Sequence, residues 1–255
     1  MRAAIVPQAG KAPVYGELKE PAPSTGISRI AVTAAALSPV VKARASGAHY
    51  SSSGSFPIGG GIDGGGRLDD GSRVYFFLPR APYGSMAEKV VVPSSHCTIV
   101  PDGLDDITAA AIAIPGMSSW VALKERANFT AGETVLVNGA TGTSGRLAVR
   151  VAKYLDAKKV IATGRRAATL ESIKALGADE TILLNENRDA LEKPLKNYSP
   201  AALMSSWIIF GGKAPSVYWL PQAEPEWMHQ FVSSRSELLV ERISPCQERY
   251  CGQRP

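Results

Sequence analysis

The chain has 255 residues, 45% of them hydrophobic and 20% charged, with three cysteines and a formal net charge of +5. That length can bury one large core or two modest ones, and the composition excludes a disordered chain or a disulfide-framed one. The Lys and Arg surplus, with a pI of about 9.1, is scattered and forms no aromatic-interleaved stripe, so nucleic-acid binding is not expected.

Residues 1–6 are too short for the apolar core of a signal peptide and read as an opening strand. Short β-like runs at 3–6, 28–34, 73–77, 87–92 and 98–100, separated by Gly and Pro, predict a small β-rich domain over residues 1–115. The glycine-dense Gly59-Gly-Gly-Ile-Asp-Gly-Gly-Gly66 has no Lys or Ser/Thr phosphate signature behind it, and reads as sharp turns and close backbone approach. His49 is expected on an exposed loop. His96 and Cys97, as neighbours on a strand, would point to opposite faces and form no working pair. Residues 106–127 turn helical, through Ile107, Ala110, Ala111 and Ile114, then Trp120, Val121 and Leu123 beyond a bend at Pro115-Gly116. Because that break cuts the apolar series 109–114, no segment is expected to reach membrane-spanning length, and a soluble, cytoplasmic protein follows.

Residues 133–184 then give strand, helix, strand, helix, strand at 133–138, 143–155, 159–163, 168–176 and 180–184, the first half of a doubly wound parallel sheet. Val135-Leu-Val137 is short, apolar and bounded by turn residues, as a strand covered on both faces should be. Ala140-Thr-Gly142-Thr-Ser-Gly145 matches the dinucleotide-binding pattern with Ala140 in the first glycine place. Gly142 lets the backbone approach a pyrophosphate, and Gly145 lets the next helix press on the strand. That helix carries Leu147, Val151, Tyr154 and Leu155 on one predicted apolar face, and its first N–H groups, at Thr143 and Ser144, would face the phosphates. Asn138, at the end of the strand, completes the turn's candidate set. At the end of the second strand, where an NAD-binding chain commonly places an acidic side chain, stands Gly164, followed by Arg165 and Arg166. Guanidinium groups there suit a 2'-phosphate, so the expected cofactor is NADPH.

After residue 197 the character changes. Residues 199–255 hold three of the four tryptophans and two of the three cysteines, with prolines throughout; only 206–210 and 237–243 resemble regular elements. The second half of the sheet is not recognisable, and we expect this tail to come from a shifted reading frame or an alternative splice product. Reading the coding sequence in all three frames tests that: finding no lost strands in either neighbouring frame would refute it.

Five landmarks, taken together, resemble a known family: Gly61-Ile-Asp-Gly-Gly-Gly-Arg-Leu68, Gly71-Ser-Arg-Val-Tyr75, Tyr83-Gly-Ser-Met-Ala-Glu88, Ala110-Ala-Ile-Ala-Ile-Pro-Gly-Met-Ser-Ser-Trp-Val-Ala-Leu123 and Gly132-Glu-Thr-Val-Leu-Val-Asn-Gly-Ala-Thr-Gly-Thr-Ser-Gly145. Over about residues 1–190 the chain is similar to the zinc-independent medium-chain dehydrogenases/reductases, in their quinone oxidoreductase-like branch. The resemblance implies an α/β protein with a GroES-like β-rich substrate domain over 1–115, an incomplete Rossmann NADP-binding domain over 116–198, and an atypical tail over 199–255. It further implies NADPH between the domains and hydride transfer to a quinone or an α,β-unsaturated carbonyl compound. No metal is expected: Ile62 stands where zinc-containing relatives hold a His, and cysteine ligands upstream of Cys97 are missing. Ser118 falls where relatives place a Thr near the nicotinamide. Ser38 and Ala43 replace an Asn and a Tyr on the substrate side, leaving Tyr50 as the nearest phenol to polarise a carbonyl oxygen and hence the catalytic candidate. The strand that relatives use for a homodimer is not recognisable. Two readings result, an NADPH-dependent reductase of a small-molecule substrate, or a non-catalytic or truncated relative that keeps partial cofactor binding.

Overall fold

The computed structural model describes residues 1–49, 52, 55–184 and the backbone of 207–209; Tyr50 and segment 237–243 are among the residues outside them. The chain divides into two compact units, Met1–Ile114 and Pro115–Pro255.

The first unit contains β1 (Arg2–Val6), β2 (Val14–Glu17), β3 (Ile27–Ala35), α1 (Pro39–Ala45), β4 (Ile58–Gly59), β5 (Asp63–Leu68), β6 (Arg73–Phe77), β7 (Lys89–Pro93) and β8 (Cys97–Ile99). The strands form two antiparallel sheets, in the orders β2-β1-β4 and β7-β3-β5-β6-β8. In the larger sheet the inward positions Ile30, Val74, Phe76, Val90 and Val92 are fully buried and make its core, the period-two alternation that a one-sided sheet requires. The glycine run proves to be mostly strand. Only Gly61 of that run sits at positive φ (+85°), while Gly64 and Gly66 lie within β5. A Cβ on Gly64 would come 2.3 Å from the Ala34 carbonyl oxygen, and one on Gly66 2.5 Å from that of Ala31. Backbone meets backbone there, which is why β-formers are replaced by glycine in mid-strand.

Helix α1 was not anticipated from sequence. Its start is marked by extended Ser38 followed by Pro39 in the first turn, a helix-opening pair too short to stand out. The longer helix α2 (Asp106–Val121) continues through Pro115 and passes into a π-helical turn, Ala122–Arg126. The expected break in the helical pattern at Pro115-Gly116 is therefore corrected: one missing N–H does not end the helix. A second correction follows. The continuous stretch Asp106–Arg126 is 21 residues long and contains an 18-residue window of mean hydropathy 1.3, long and apolar enough to cross a membrane by length and composition. The start of α2 is tied down by charge. Asp106 accepts hydrogen bonds from Thr33 Oγ1 (2.7 Å) and Arg73 Nε (2.9 Å), and Asp105 caps the N–H of Thr108 at 2.8 Å. Both Asp106 partners hold its carboxyl below the usual carboxylate range.

The second unit holds β9 (Thr134–Asn138), α3 (Thr143–Tyr154), β10 (Lys159–Gly164), α4 (Ala167–Lys174), β11 (Glu180–Leu183) and β12 (Trp207–Ile209). All four strands are parallel, in the order β11-β10-β9-β12. The fourth strand falls in the tail, where sequence offered only an isolated β-like run. It extends the sheet past β9 on the side away from β10, so the sheet is not limited to three strands. The order now reverses direction at β9, the position where doubly wound sheets open a ligand crevice at their carboxyl ends.

Every residue of β9 and β10 after the first is buried, as a parallel sheet covered on both faces demands. Around them pack Leu123, Phe129, Ala148, Val149, Ala152 and Ile173. Fully burying a residue the size of Leu123 or Ile173 contributes about 1.5–3 kcal/mol. The predicted apolar face of α3 is corrected in part. Its buried stripe is Gly145, Ala148, Val149 and Ala152, while Tyr154 is 76% exposed and Val151 and Leu155 only flank the core. Small side chains let the helix lie close to the sheet, and a reading weighted towards large apolar residues picks the flank.

Candidate functional site

The residues singled out in the second unit meet at the carboxyl ends of β9 and β10. Strand β9 ends at Asn138, and the chain turns at Gly139 with φ +74°. Helix α3 starts after Gly142, an extended N-cap that supplies no side-chain hydrogen bond. The first helical bond runs from Arg146 N–H to the Gly142 carbonyl at 2.9 Å, so the N–H groups of Thr143, Ser144 and Gly145 have no acceptor within the helix. With no acidic residue in the first turn, they and the positive helix end offer donors and a partial charge of the kind an anion needs. Gly145 is needed for packing: a Cβ would lie 2.4 Å from the Gly139 carbonyl oxygen and 2.6 Å from Ala140 Cα. Gly142 is different, since the nearest atom to its Cβ would be 3.8 Å away.

The other side of the turn is held by β10. Thr163, fully buried, donates its hydroxyl to Asn138 Oδ1 at 2.7 Å and accepts the Gly139 N–H at 3.3 Å, while its carbonyl accepts the Ala140 N–H at 2.9 Å. Thr163 was not singled out from sequence, because a Thr in a strand carries no signal of its own. Next in the chain, Gly164 is buried: a Cβ there would meet Thr141 Cγ2 at 2.7 Å and Leu170 Cδ2 at 3.0 Å. Arg165 and Arg166 are exposed, Arg166 serving as the N-cap of α4, and neither forms an ion pair among the described residues. Arg146 on α3 reaches Ser172 Oγ on α4 at 2.7 Å, joining the two helices beside this edge.

Ser118 is exposed and its neighbour Ser119 is fully buried. Ser119 Oγ lies 3.3 Å from the Pro115 carbonyl and 3.4 Å from the Ser144 carbonyl, so a serine that sequence reading did not single out touches the glycine-turn helix. A buried hydroxyl on a helix cannot be told from its exposed neighbour without knowing how the helix is rotated.

In the first unit, Ser38 caps α1 with a buried hydroxyl that has no hydrogen-bond partner among the described residues, and Ala43 is half-buried. His49 is half-buried, where an exposed loop was expected, and burial, aided by the Arg44 charge, lowers its pKa from the ordinary imidazole value. Asp63 is fully buried at the start of β5. Burial pushes its carboxyl up to about 6, against the opposing effect of Tyr75, whose hydroxyl donates to Oδ2 at 3.1 Å. The same burial, with the Asp63 charge, raises the Tyr75 phenol. Ser85 Oγ and Asp63 Oδ1 are buried without partners among the described residues. His96 belongs to a 3-10 turn, Ser94–His96, and stacks on Phe77 with ring centroids 4.4 Å apart, while Cys97 opens β8 with a thiol that burial pushes up. The two are therefore not strand neighbours, and neither is prepared as half of a catalytic pair. Ile62 is buried, and among the described residues no group of three or more His, Cys, Asp or Glu is placed to hold a metal ion.

The fold and site define an α/β protein that joins a GroES-like β-rich part to a Rossmann-type parallel sheet. No protein-family model matches the chain. The "Probable NADPH-dependent quinone reductase" of Emericella nidulans is 34% identical over 208 residues, covering 69% of this chain and 58% of its own length. A "Quinone oxidoreductase-like protein 2 homolog" of Nematostella vectensis is 36% identical over 99 residues, 39% of this chain and 27% of its own. Among solved structures, a probable oxidoreductase from Mycobacterium abscessus superposes with a TM-score of 0.68 at 29% identity, covering 77% of this chain and 66% of that one. The chain belongs to the medium-chain dehydrogenase/reductase superfamily, in its quinone oxidoreductase-like branch. It spans less than two thirds of the length of the two curated relatives named here.

Proposed function

We propose that the chain is an NADPH-binding oxidoreductase that reduces a quinone or an α,β-unsaturated carbonyl compound without zinc. The observation that carries this reading is the edge at Gly164. A glycine that packs against Thr141 ends β10, no carboxylate follows, and Arg165 and Arg166 stand exposed beside the open start of α3. The glycine turn fits the group: Gly145 and Gly142 leave room for backbone and phosphate, and the α3 N–H groups of Thr143, Ser144 and Gly145 supply donors. The E. nidulans relative's description as NADPH-dependent supports the same cofactor.

In this reading, NADPH supplies the hydride when bound. Thr143, Ser144 and Gly145 hold the pyrophosphate; Asn138, Ala140, Gly142 and Gly164 shape the turn around it; Arg165 and Arg166 pair with the 2'-phosphate; and Ser118 orients the nicotinamide end. Residues 1–115 form the substrate domain, with Tyr50 as the candidate that donates a hydrogen bond to the acceptor's carbonyl oxygen. The buried apolar Ile62 offers no ligand to a metal, which supports zinc-independent chemistry.

Titration of NADPH and NADH into the purified full chain, followed by tryptophan quenching or energy transfer to the nicotinamide, tests the proposal. Micromolar binding with a clear NADPH preference supports it, and equal affinity for the two would remove the arginine assignment. A second reading, a relative that keeps cofactor binding without turnover, is favoured by the change in composition after residue 197. NADPH binding without oxidation of the cofactor across a panel of quinones and enones would select it.

A further inference from the structure

We propose that Thr163 is the positioning residue of the dinucleotide turn, and that it decides which backbone N–H groups the turn offers to a phosphate. The proposal rests on the reading of this turn as the NADPH site. The ladder between β9 and β10 runs from Lys159↔Thr134 to Ala162↔Val137, and Thr163 is the first residue beyond it. There β9 parts from β10: Asn138 still pairs with Ile209 of β12 before the chain turns, while β10 goes on pairing with β11 through Thr163↔Ile182. Two strands that part inside a dry core would leave unpaired N–H and C=O groups, each costly to bury. Thr163 replaces the missing ladder with both its side chain and its main chain. Its hydroxyl spans from the Gly139 N–H (3.3 Å) to Asn138 Oδ1 (2.7 Å), and its carbonyl takes the Ala140 N–H (2.9 Å).

Two consequences follow for the site. The N–H groups of Gly139 and Ala140 are spent on Thr163, and that of Gly142 on the Gly139 carbonyl at 3.3 Å. The anion therefore meets the first-turn donors of α3, at Thr143, Ser144 and Gly145, and not the N–H groups of Gly139, Ala140 or Gly142. The turn is also gripped from two sides. Thr163 holds Asn138, Gly139 and Ala140 from β10, and α3 presses Gly145 onto the same Gly139 and Ala140 from the other side. If the Thr163 hydroxyl is lost, Gly139 loses its acceptor and the Asn138 side chain its donor, and the start of α3 packs against a turn held from β10 only through the Ala140 N–H.

Thr163→Val keeps the shape and strand preference and removes only the hydroxyl, whereas Thr163→Ser keeps the hydroxyl. Amide hydrogen exchange on the cofactor-free chain reads the clamp directly: Thr163→Val should speed exchange at Gly139 by tenfold or more over wild type, and Thr163→Ser should leave it within about threefold. NADPH titration reads the consequence, a dissociation constant raised about tenfold by Thr163→Val and restored by Thr163→Ser, as expected for two hydrogen bonds. Asn138→Ala provides an independent cut of the same clamp. It should weaken NADPH binding to a similar degree, and the double variant with Thr163→Val should be no weaker than either single one. Unchanged exchange at Gly139 in Thr163→Val overturns the clamp. Faster exchange with unchanged NADPH affinity, or additive effects in the double variant, overturns its positioning role. If Thr163→Val does not fold, Asn138→Ala and Thr163→Ser carry the test, and a Thr163→Ser variant that binds as weakly as Asn138→Ala refutes the proposal. A wild-type chain that binds no NADPH sinks the functional reading instead, and leaves exchange at Gly139 to judge the clamp alone.

Discussion

Replacing Asp63 with Asn should make the protein's stability less sensitive to pH, and the structure sets the size of the effect. Asp63 is fully buried, Tyr75 is its hydrogen-bond donor at Oδ2, and its carboxyl is pushed up to about 6 from the ordinary 3.8. That displacement corresponds to about 3 kcal/mol. In the folded state the carboxyl holds its proton more tightly than in the unfolded chain, so the site costs nothing at low pH. As pH rises from about 4 to about 6, the unfolded chain loses its proton first; stability falls through that window, and the full penalty is present above it. An Asn side chain is neutral throughout. It keeps an acceptor for Tyr75, and its NH2 group brings a penalty of its own that does not depend on pH. The difference in unfolding free energy between Asp63→Asn and wild type should therefore shift by about 3 kcal/mol in favour of the variant between about pH 3 and about pH 8. Urea unfolding at the two pH values measures it, and thermal melting should show a relative gain of about 6–12 °C for the variant at the higher pH. A difference that is the same at both pH values would show that Asp63 folds with an ordinary carboxyl, and that burial without an ionic partner has been given too much weight.

The remaining predictions concern the glycine turn and its arginines. Changing Arg165 and Arg166 together to Ala should raise the NADPH dissociation constant about tenfold or more while leaving that for NADH nearly unchanged; parallel titrations check it. Gly145→Ala forces a Cβ to within 2.4 Å of the Gly139 carbonyl oxygen and should cost about 1–3 kcal/mol of stability in urea unfolding. Gly142→Ala, with its nearest contact at 3.8 Å, should be close to neutral in the same measurement while weakening NADPH binding. Gly164→Asp alone should weaken both cofactors, because its Cβ meets Thr141 Cγ2 at 2.7 Å and Leu170 Cδ2 at 3.0 Å; adding Thr141→Ser removes the nearer methyl, leaves only the flexible Leu170 side chain to give way, and should recover NADH binding only. Recovery of NADH binding by the single variant would refute the packing argument.

What the sequence determined by itself was what short range and strict periodicity encode. Residues 133–184 read as strand, helix, strand, helix, strand, and the structure places β9, α3, β10, α4 and β11 there within one or two residues. Apolar β-branched runs between glycine turns have few other stable outcomes when both faces of a strand are covered. Gly145 was equally legible, since close packing of helix on turn excludes a Cβ there, and so was the absence of an acid at Gly164, before Arg165 and Arg166. Tertiary structure decided whatever depends on which surface an element meets. Helix α3 turned its small residues to the sheet, α2 passed through Pro115, and the glycine-rich run became a strand because β3 crosses close beside it. The strand Trp207–Ile209 joined the sheet through pairing with β9, some seventy residues earlier in the chain, and three residues carry no such address in their own composition. Thr163 and Ser119 acquired their contacts in the same way. A single hydroxyl on a strand or a helix becomes part of a site only when folding brings a distant turn to within hydrogen-bond distance of it.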